Sequence, residues 1–198
     1  MRTTRLLTTR TSLLAAAFAC ALALSGCAGG ASADTAAPES FNAVDVTFAQ
    51  MMIPHHEQAV EMSDEILAKD GVDQAVVDLA TQIKAAQEPE IRQLGSWLEA
   101  WGADMGMAGM GHGTGDGTGD GTDGMMSDDD MSALADASGA EASTLFLRQM
   151  VIHHEGAIAM ARTELTSGRD ADAKALASAI VTGQAAEVEV MKDLLAAG

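Results

Sequence analysis

The chain has 198 residues, 29 of them acidic and 11 basic, and its formal net charge is −18 at pH 7. Such an acidic surface repels nucleic acid and anionic lipid headgroups and concentrates cations, so a nucleic-acid partner is excluded. The only two cysteines, Cys20 and Cys27, lie close to the N-terminus. A disulfide framework or a cysteine-based zinc site is therefore excluded as well.

Residues 1–26 are predicted to be a lipoprotein signal peptide. Three arginines precede an apolar run over residues 13–24, which has the length of an export signal and is too short for a typical membrane span. The run ends in Leu24-Ser25-Gly26-Cys27, a pattern typical of a bacterial lipobox, in which Cys27 becomes the lipidated first residue. A plain secretory signal that is cut elsewhere is the alternative, and either signal exports the protein.

We therefore expect the mature chain to be held by its lipid on the outer face of the cytoplasmic membrane or on another extracytoplasmic membrane surface. Residues 27–40 comprise the lipidated cysteine and a small, polar stretch that is predicted to be a flexible tether.

Residues 41–198 are predicted to form one all-α domain, because apolar residues recur at steps of three or four and no stretch alternates like a strand. The predicted helices begin at residue 41 and cover about 72–101, 140–166 and 170–196. Pro54 lies inside the first and is expected to kink it or to mark its true start, and Pro89 is expected to interrupt the second. Between the second and third predicted helices, residues 102–138 are rich in Gly, Asp, Thr and Met and are predicted to be a disordered or loosely ordered loop.

An internal repeat organises this domain. Met52-Ile53-Pro54-His55-His56-Glu57 recurs as Met150-Val151-Ile152-His153-His154-Glu155, and the two copies hold four of the five histidines. The match continues into the following helix of each half. Two similar helical hairpins joined by a long connection predict a four-helix bundle with internal pseudo-twofold symmetry. The matching positions in the second helices are Gly71, Leu79, Ile83, Gln87, Glu90 and Leu98 against Gly168, Leu176, Ile180, Gln184, Glu187 and Leu195.

The spacing of the repeated motif indicates a soft metal. On a helix, Met52, His55 and Met62 share one apolar face while Glu57 points to the flank. An unpaired imidazole on such a face would be costly to bury, so it is either a hydrogen-bonded core residue or a metal ligand. Because thioether sulfur suits Cu(I) and silver and imidazole suits copper or zinc, copper is favoured, silver is acceptable and zinc is less favoured. The chain has no Glu-x-x-His motif of di-iron bundles and no His-Glu-x-x-His motif of zinc proteases.

The predicted loop carries further soft donors. Methionine usually fills gaps in a core, but a glycine-rich loop has no core to fill, so a metal-capture segment competes with compositional drift as the explanation. The candidate capture residues are Met105, Met107, Met110, His112, Met125 and Met126.

Phe-x-x-x-Met-Ile-Pro-His-His-x-x-Ala-Val-x-Met over residues 48–62, with its second copy over 146–160, resembles the paired signature of the domain-of-unknown-function 305 family. The resemblance implies an exported, ferritin-like helical bundle, and some members of the family are associated with copper binding and copper resistance. The second copy has Ile152 where the first has Pro54, so the two halves are not expected to have equal geometry. Carried over by position, the implied metal ligands are Met52, His55, His56 and Met62, with Met150, His153, His154 and Met160.

Three functions follow from these patterns. The first is a lipid-anchored, extracytoplasmic copper-binding protein that sequesters, tolerates or transfers Cu(I) or Cu(II), and a copper-handling protein would be its expected partner. The second is a metal-dependent oxidase of Cu(I) or Fe(II), although the sequence shows no catalytic constellation and no evident base beside the motif, so we do not predict an enzyme. The third is a lipoprotein that docks on a membrane partner without metal.

Overall fold

The computed structural model describes residues 40–105 and 124–197, all of which belong to one compact unit spanning residues 37–198. The predicted signal peptide, the Cys27 lipidation site and most of the tether lie outside the described residues. The all-α prediction is confirmed, because those two ranges contain helices and no strand. None of these helices is both long enough and apolar enough to span a membrane. The helices are α1 (Ala43–Leu67), α2 (Gln74–Trp101), α3 (Asp128–Asp136), α4 (Gly139–Ser167) and α5 (Ala171–Ala197).

The four long helices pack as two hairpins that meet through their first members. Helix α1 packs along α2, α4 packs along α5, and α1 and α4 contact each other. The short helix α3 contacts both α1 and α4. The two copies of the histidine motif therefore lie on the pair of helices that joins the hairpins.

Both internal prolines lie within continuous helices, which corrects the expectations that Pro54 marks a helix start and that Pro89 interrupts the second helix. Helix α1 begins at Ala43, where Asn42 and Asp45 form a capping box, so Pro54 does not mark its start. Helix α2 likewise continues through Pro89. A proline removes one backbone hydrogen bond, but packing of the residues around it can outweigh that loss. Ile53 and His55, on either side of Pro54, are both buried.

The part of the predicted loop that the structure describes differs from the prediction, since residues 128–136 form helix α3. Ser127 and Asp130 make a capping box at its start, and the first turn carries acidic side chains that favour the positive end of a helix dipole. Leu134 is fully buried against the hydrophobic residues of α1, α2 and α4. The aspartates at residues 128–130 of the predicted loop therefore begin a helix.

The interior consists of two hydrophobic clusters that succeed each other along the long helices. The first cluster includes Met62, Ile83, Phe146 and Val188, one from each long helix. The second cluster includes Met52, Leu94, Ala157 and Ile180, again one from each. Because α1 contributes its first half to the second cluster while α4 contributes its second half, α1 and α4 run antiparallel.

A buried pair of carboxyl groups closes the end of the domain where α1 begins and α4 ends. Asp45 is fully buried and accepts backbone N–H groups of Asn42, Arg169 and Asp170, at 2.5 to 3.1 Å. Burial would raise the pKa of Asp45, but these hydrogen bonds outweigh it and hold the pKa below its usual value. Burial, together with the neighbouring Asp45 carboxylate, raises the pKa of Glu164 to about 8. Asp45 thus ties the α4–α5 turn to the start of α1 beside a carboxyl that is protonated at neutral pH.

Candidate metal centre

A layer of buried and half-buried polar side chains separates the two hydrophobic clusters. On each long helix these side chains lie between residues of one cluster and residues of the other. On α5, for instance, Gln184 lies four residues after Ile180 and four before Val188. We call this set the polar layer. It comprises His55, His56, Gln87, Glu90, His153, His154, Gln184 and Glu187.

The first histidines of the two motifs meet in the middle of the polar layer. The ring centroids of His55 and His153 lie 3.7 Å apart, with an angle of 40° between the ring planes. Both side chains are sealed from solvent, since His55 is 1% exposed and His153 is fully buried. Ala59 and Ala157, about one turn farther along each helix, are also fully buried and have small side chains. The two copies of the repeated motif are thus in direct contact, through one histidine on α1 and one on α4.

Electrostatics keep the central imidazole neutral. Burial lowers the pKa of His153 well below its usual value, and the neighbouring His55, His154 and His56 lower it further. Neither ring nitrogen of His153 has a hydrogen-bond partner among the described residues. A neutral imidazole is the form that binds metals, so His153 can offer a lone pair at neutral pH without first releasing a proton.

The second histidine of each motif pairs with a glutamate of the neighbouring helix. Nε2 of His56 lies 2.8 Å from the Glu90 carboxylate, and Nε2 of His154 lies 2.7 Å from that of Glu187. A carboxylate accepts a hydrogen bond, so in the neutral imidazole Nε2 carries the proton and Nδ1 carries the lone pair. Nδ1 of both histidines is buried and has no hydrogen-bond partner among the described residues.

This arrangement fits a bound metal ion. Histidines that bind metals commonly donate their other ring N–H to a carboxylate, which fixes the tautomer and makes the ligating nitrogen more basic. A buried nitrogen without a partner is costly, and a metal ion would compensate that cost. However, no three His, Cys, Asp or Glu side chains within the two described ranges already converge on one metal position. Binding would therefore need thioether or amide donors, or a small rearrangement of the layer.

The predicted methionine ligands flank the polar layer on both sides. Met52 and Met150 lie one turn before the central histidine of their helices and are fully buried. Met62 is fully buried and Met160 is half-buried, and each lies seven residues beyond the central histidine, about 10 Å along the helix. All four methionines thus lie within or against the hydrophobic clusters, and Met52 and Met150 are the two that lie closest to the central histidines along their helices.

Both described ends of the Met-rich connection are fixed against α1. On one side, Gln50 donates to the backbone carbonyl of Asp104 at 2.9 Å. On the other, the amide of Gln58 makes two hydrogen bonds with the backbone of Met126, at 2.7 and 2.9 Å. Gly124 has a positive φ of 86°, and a Cβ atom there would lie 2.6 Å from the carbonyl oxygen of Ile152. The first described end is therefore bonded to α1 before its histidine pair, and the second is bonded to α1 after that pair and also lies against the backbone of α4.

The candidate capture residues are distributed over both described ends and the segment between them. Met105 is 51% exposed beside Gly95, whereas Met125 and Met126 are half-buried. Met107, Met110 and His112 lie outside the described residues.

The sequence-based site omitted Glu90, Glu187, Gln87 and Gln184. They come from the second helix of each hairpin, and a motif search confined to the histidine helices does not reach them. The internal repeat could have identified them, because Gln87 and Glu90 in the first half correspond to Gln184 and Glu187 in the second. Polar residues that recur at buried positions of both helices would have marked them.

Comparison with known proteins gives a family and a set of structural neighbours. The family description that matches residues 45–195 is DUF305, a domain of unknown function. No curated protein sequence matches the chain.

Several solved structures are similar over most of the chain. A DUF305 fragment from Deinococcus radiodurans is 27% identical, with a TM-score of 0.67, and the match covers 79% of this chain and 98% of that one. A DUF305 protein from Streptomyces coelicolor, designated as secreted, is 32% identical, with a TM-score of 0.65 and coverages of 77% and 91%. CopM in its Cu(II)-bound form is 30% identical, with a TM-score of 0.63 and coverages of 76% and 95%. CopM has also been solved in Cu(I)-bound and Ag-bound forms.

Proposed function

Since the chain belongs to the DUF305 family, we propose that it is an extracytoplasmic copper-binding protein that holds Cu(I) or Cu(II) at the polar layer. The observation that carries this proposal is the buried contact between His55 and His153, together with the unpartnered nitrogens of His153, His56 and His154. The Cu(I)-bound and silver-bound forms of CopM support it, because both ions prefer soft donors such as the thioethers of Met52 and Met150. Its Cu(II)-bound form supports it through the imidazoles, which bind either oxidation state of copper.

The remaining parts of the site fit capture from a dilute solution. Glu90 and Glu187 are 21% and 24% exposed, so each carboxylate extends from solvent to a buried histidine. The acidic surface raises the local concentration of cations. We include the Met-rich connection in the proposal as a capture segment for soft metal ions, through Met105, Met107, Met110, His112, Met125 and Met126. Sequestration, tolerance or delivery to a copper-handling protein are the roles that such a site would serve.

The architecture in this proposal is a ferritin-like four-helix bundle, built from the hairpins α1–α2 and α4–α5. We keep the proposal to binding without a catalytic role. Glu90 and Glu187, the carboxylates of the polar layer, are already engaged by His56 and His154.

The test of copper binding uses the purified protein, an anaerobic titration with a chromophoric Cu(I) chelator, and thermal melting with and without copper. A ligand at 100 times its Kd stabilises the native state by about 2.7 kcal/mol. For a domain of this size that corresponds to a rise in Tm of about 5–10 °C. Mg²⁺, which prefers oxygen ligands, is the control and should leave Tm unchanged. Transfer of Cu(I) to the chelator without competition, with no change in Tm, would sink the proposal.

The membrane attachment is tested separately through Cys27. We expect the full-length protein, expressed in a bacterial host, to sediment with membranes and to be released by detergent. Cys27→Ser removes the acceptor of the lipid and should move the protein to the soluble extracytoplasmic fraction, while Cys20→Ser should leave it in the membrane fraction. Equal distribution of the wild type and Cys27→Ser would show that the chain is exported without this lipid.

A further inference from the structure

Two buried glutamines of the polar layer have amide atoms that make no hydrogen bond within the described residues. Gln87 is 2% exposed, and neither its amide nitrogen nor its amide oxygen has a hydrogen-bond partner among the described residues. Gln184 is 5% exposed, and its amide oxygen also lacks a partner in the described ranges. A buried amide without a hydrogen-bond partner destabilises the folded protein.

Each glutamine lies on its helix at the level of the candidate metal site. Gln87 lies one helical turn before Glu90, and Gln184 lies one turn before Glu187. Those two glutamates touch His56 and His154, so both glutamines belong to the same layer as the imidazoles. Because α1 and α2 run antiparallel, the turn before Glu90 faces the turn after His56, which includes Ala59. The corresponding residue for Gln184 is Ala157, and both of these facing residues have small, fully buried side chains.

The two halves of the domain have the same residue at the glutamine positions but different residues beside them. Gln87 and Glu90 are separated by Glu88-Pro89, whereas Gln184 and Glu187 are separated by Ala185-Ala186. A methionine or leucine of similar size would fill the same space without the cost of an unpartnered amide. Unpartnered amide atoms therefore occur at the same position in both halves. Each glutamine lies in the same layer as a histidine whose Nδ1 also lacks a hydrogen-bond partner among the described residues.

From these observations we infer that the amide oxygens of Gln87 and Gln184 are ligands for the oxidised ion, Cu(II). This inference rests on the proposed copper function and deepens it. Cu(II) favours nitrogen and oxygen donors in a tetragonal arrangement, whereas Cu(I) favours thioether and imidazole. The polar layer then holds two overlapping donor sets, with Met52 and Met150 serving Cu(I) and the two amides serving Cu(II). The histidines are common to both sets.

The test compares the double variant Gln87→Met/Gln184→Met with the wild type in separate Cu(I) and Cu(II) titrations and in thermal melts without metal. We expect the affinity for Cu(II) to fall about tenfold or more, within the range for loss of a tuning group at a metal site. The affinity for Cu(I) should not fall. The Tm of the metal-free protein should stay the same or rise, because an unpartnered amide has been removed.

Two further variants sharpen the result. Gln87→Glu/Gln184→Glu keeps an oxygen donor and should retain or increase the affinity for Cu(II). Gln149→Met is the matched control, because Gln149 is also buried but donates to the carbonyl of Asp130 at 2.8 Å, outside the polar layer. It should lower the Tm and leave copper affinity unchanged.

Several outcomes would overturn the inference. One is an unchanged affinity for Cu(II) in the methionine variant, and another is a parallel loss of Cu(I) and Cu(II) affinity. A fall in Tm as large as that of Gln149→Met would show that the amides make structural hydrogen bonds instead. Failure of the wild type to bind Cu(I) at all would count against the proposed function, so the two failures are distinguishable.

Discussion

Replacing His55 and His153 together by alanine is expected to lower the affinity for Cu(I) by more than about 100-fold. Loss of a group that only supports a metal ligand costs about 10- to 100-fold, and loss of both central ligands should exceed that. The two rings lie 3.7 Å apart in the sealed interior, so no solvent-exposed group can replace them. The measurement is an anaerobic competition titration, with circular dichroism to establish that the variant is helical.

A cavity control separates loss of ligands from loss of stability. Ile83→Ala also opens space in the interior, since Ile83 is fully buried, but it removes no donor atom. It should lower the free energy of unfolding by about 2–5 kcal/mol and leave the affinity of the folded protein for Cu(I) unchanged. If the histidine variant bound Cu(I) as tightly as the wild type, the polar layer would not be the metal site.

Replacing Asp45 by alanine is expected to lower the free energy of unfolding by about 3–5 kcal/mol near neutral pH. The change leaves backbone N–H groups of Asn42, Arg169 and Asp170 without their charged acceptor and releases the α4–α5 turn from α1. At about 2–4 °C per kcal/mol, the fall in Tm is readily measured. The matched control is Asp78→Ala on the exposed face of α2, where the carboxylate accepts only a glutamine side chain at 2.9 Å, and it should change stability by less than about 0.5 kcal/mol.

The stability difference between wild type and Asp45→Ala should depend on pH in two directions. Asp45 has a lowered pKa in the folded state, so its contribution is present above the usual value of 3.8 and is lost as pH falls through the folded pKa. Glu164 has a pKa raised from 4.5 to about 8, so the folded wild type loses stability as pH rises between these values. In the variant one cause of that raised pKa is gone, and the loss toward pH 8 should be smaller.

Urea denaturation between pH 3 and 9 checks this dependence. The difference should be largest in weakly acidic solution, where Asp45 is ionised and Glu164 is still protonated. A difference that stayed constant over the whole range would contradict the assigned coupling between the two carboxyl groups.

The helices could be predicted from the sequence because their signal is local. The apolar residues of α1, α4 and α5 recur at helical spacing, and the predicted limits agree with the structure to within two residues at most ends. Helix α3 was missed because it is short and adjoins a glycine-rich stretch that suggests no core. Its stability comes from Leu134, which is buried against other helices, and that contact has no local signature.

The candidate site was predicted only on the helices that carry the repeated motif. The repeated motif made His55 and His153 candidate ligands. Their contact with each other requires α1 and α4 to run antiparallel, and the residue spacing within one helix does not determine how two helices are arranged. Glu90 and Glu187 lie more than 30 residues from their histidine partners. Such pairs depend on the register of neighbouring helices, and a single sequence carries that information only through the repeat.

The polar layer crosses all four long helices and divides each of them between the two hydrophobic clusters. Each cluster is therefore built from separate parts of the chain. Local opening in most proteins begins at helix ends, where few apolar contacts resist it. Here we expect the middle turns to open first, because water that entered between the imidazoles would separate the two clusters while both ends stayed packed. Backbone amides near the histidines would then exchange their hydrogens ahead of amides closer to the termini. An ion bound between α1 and α4 would join the two clusters into a single cooperative unit.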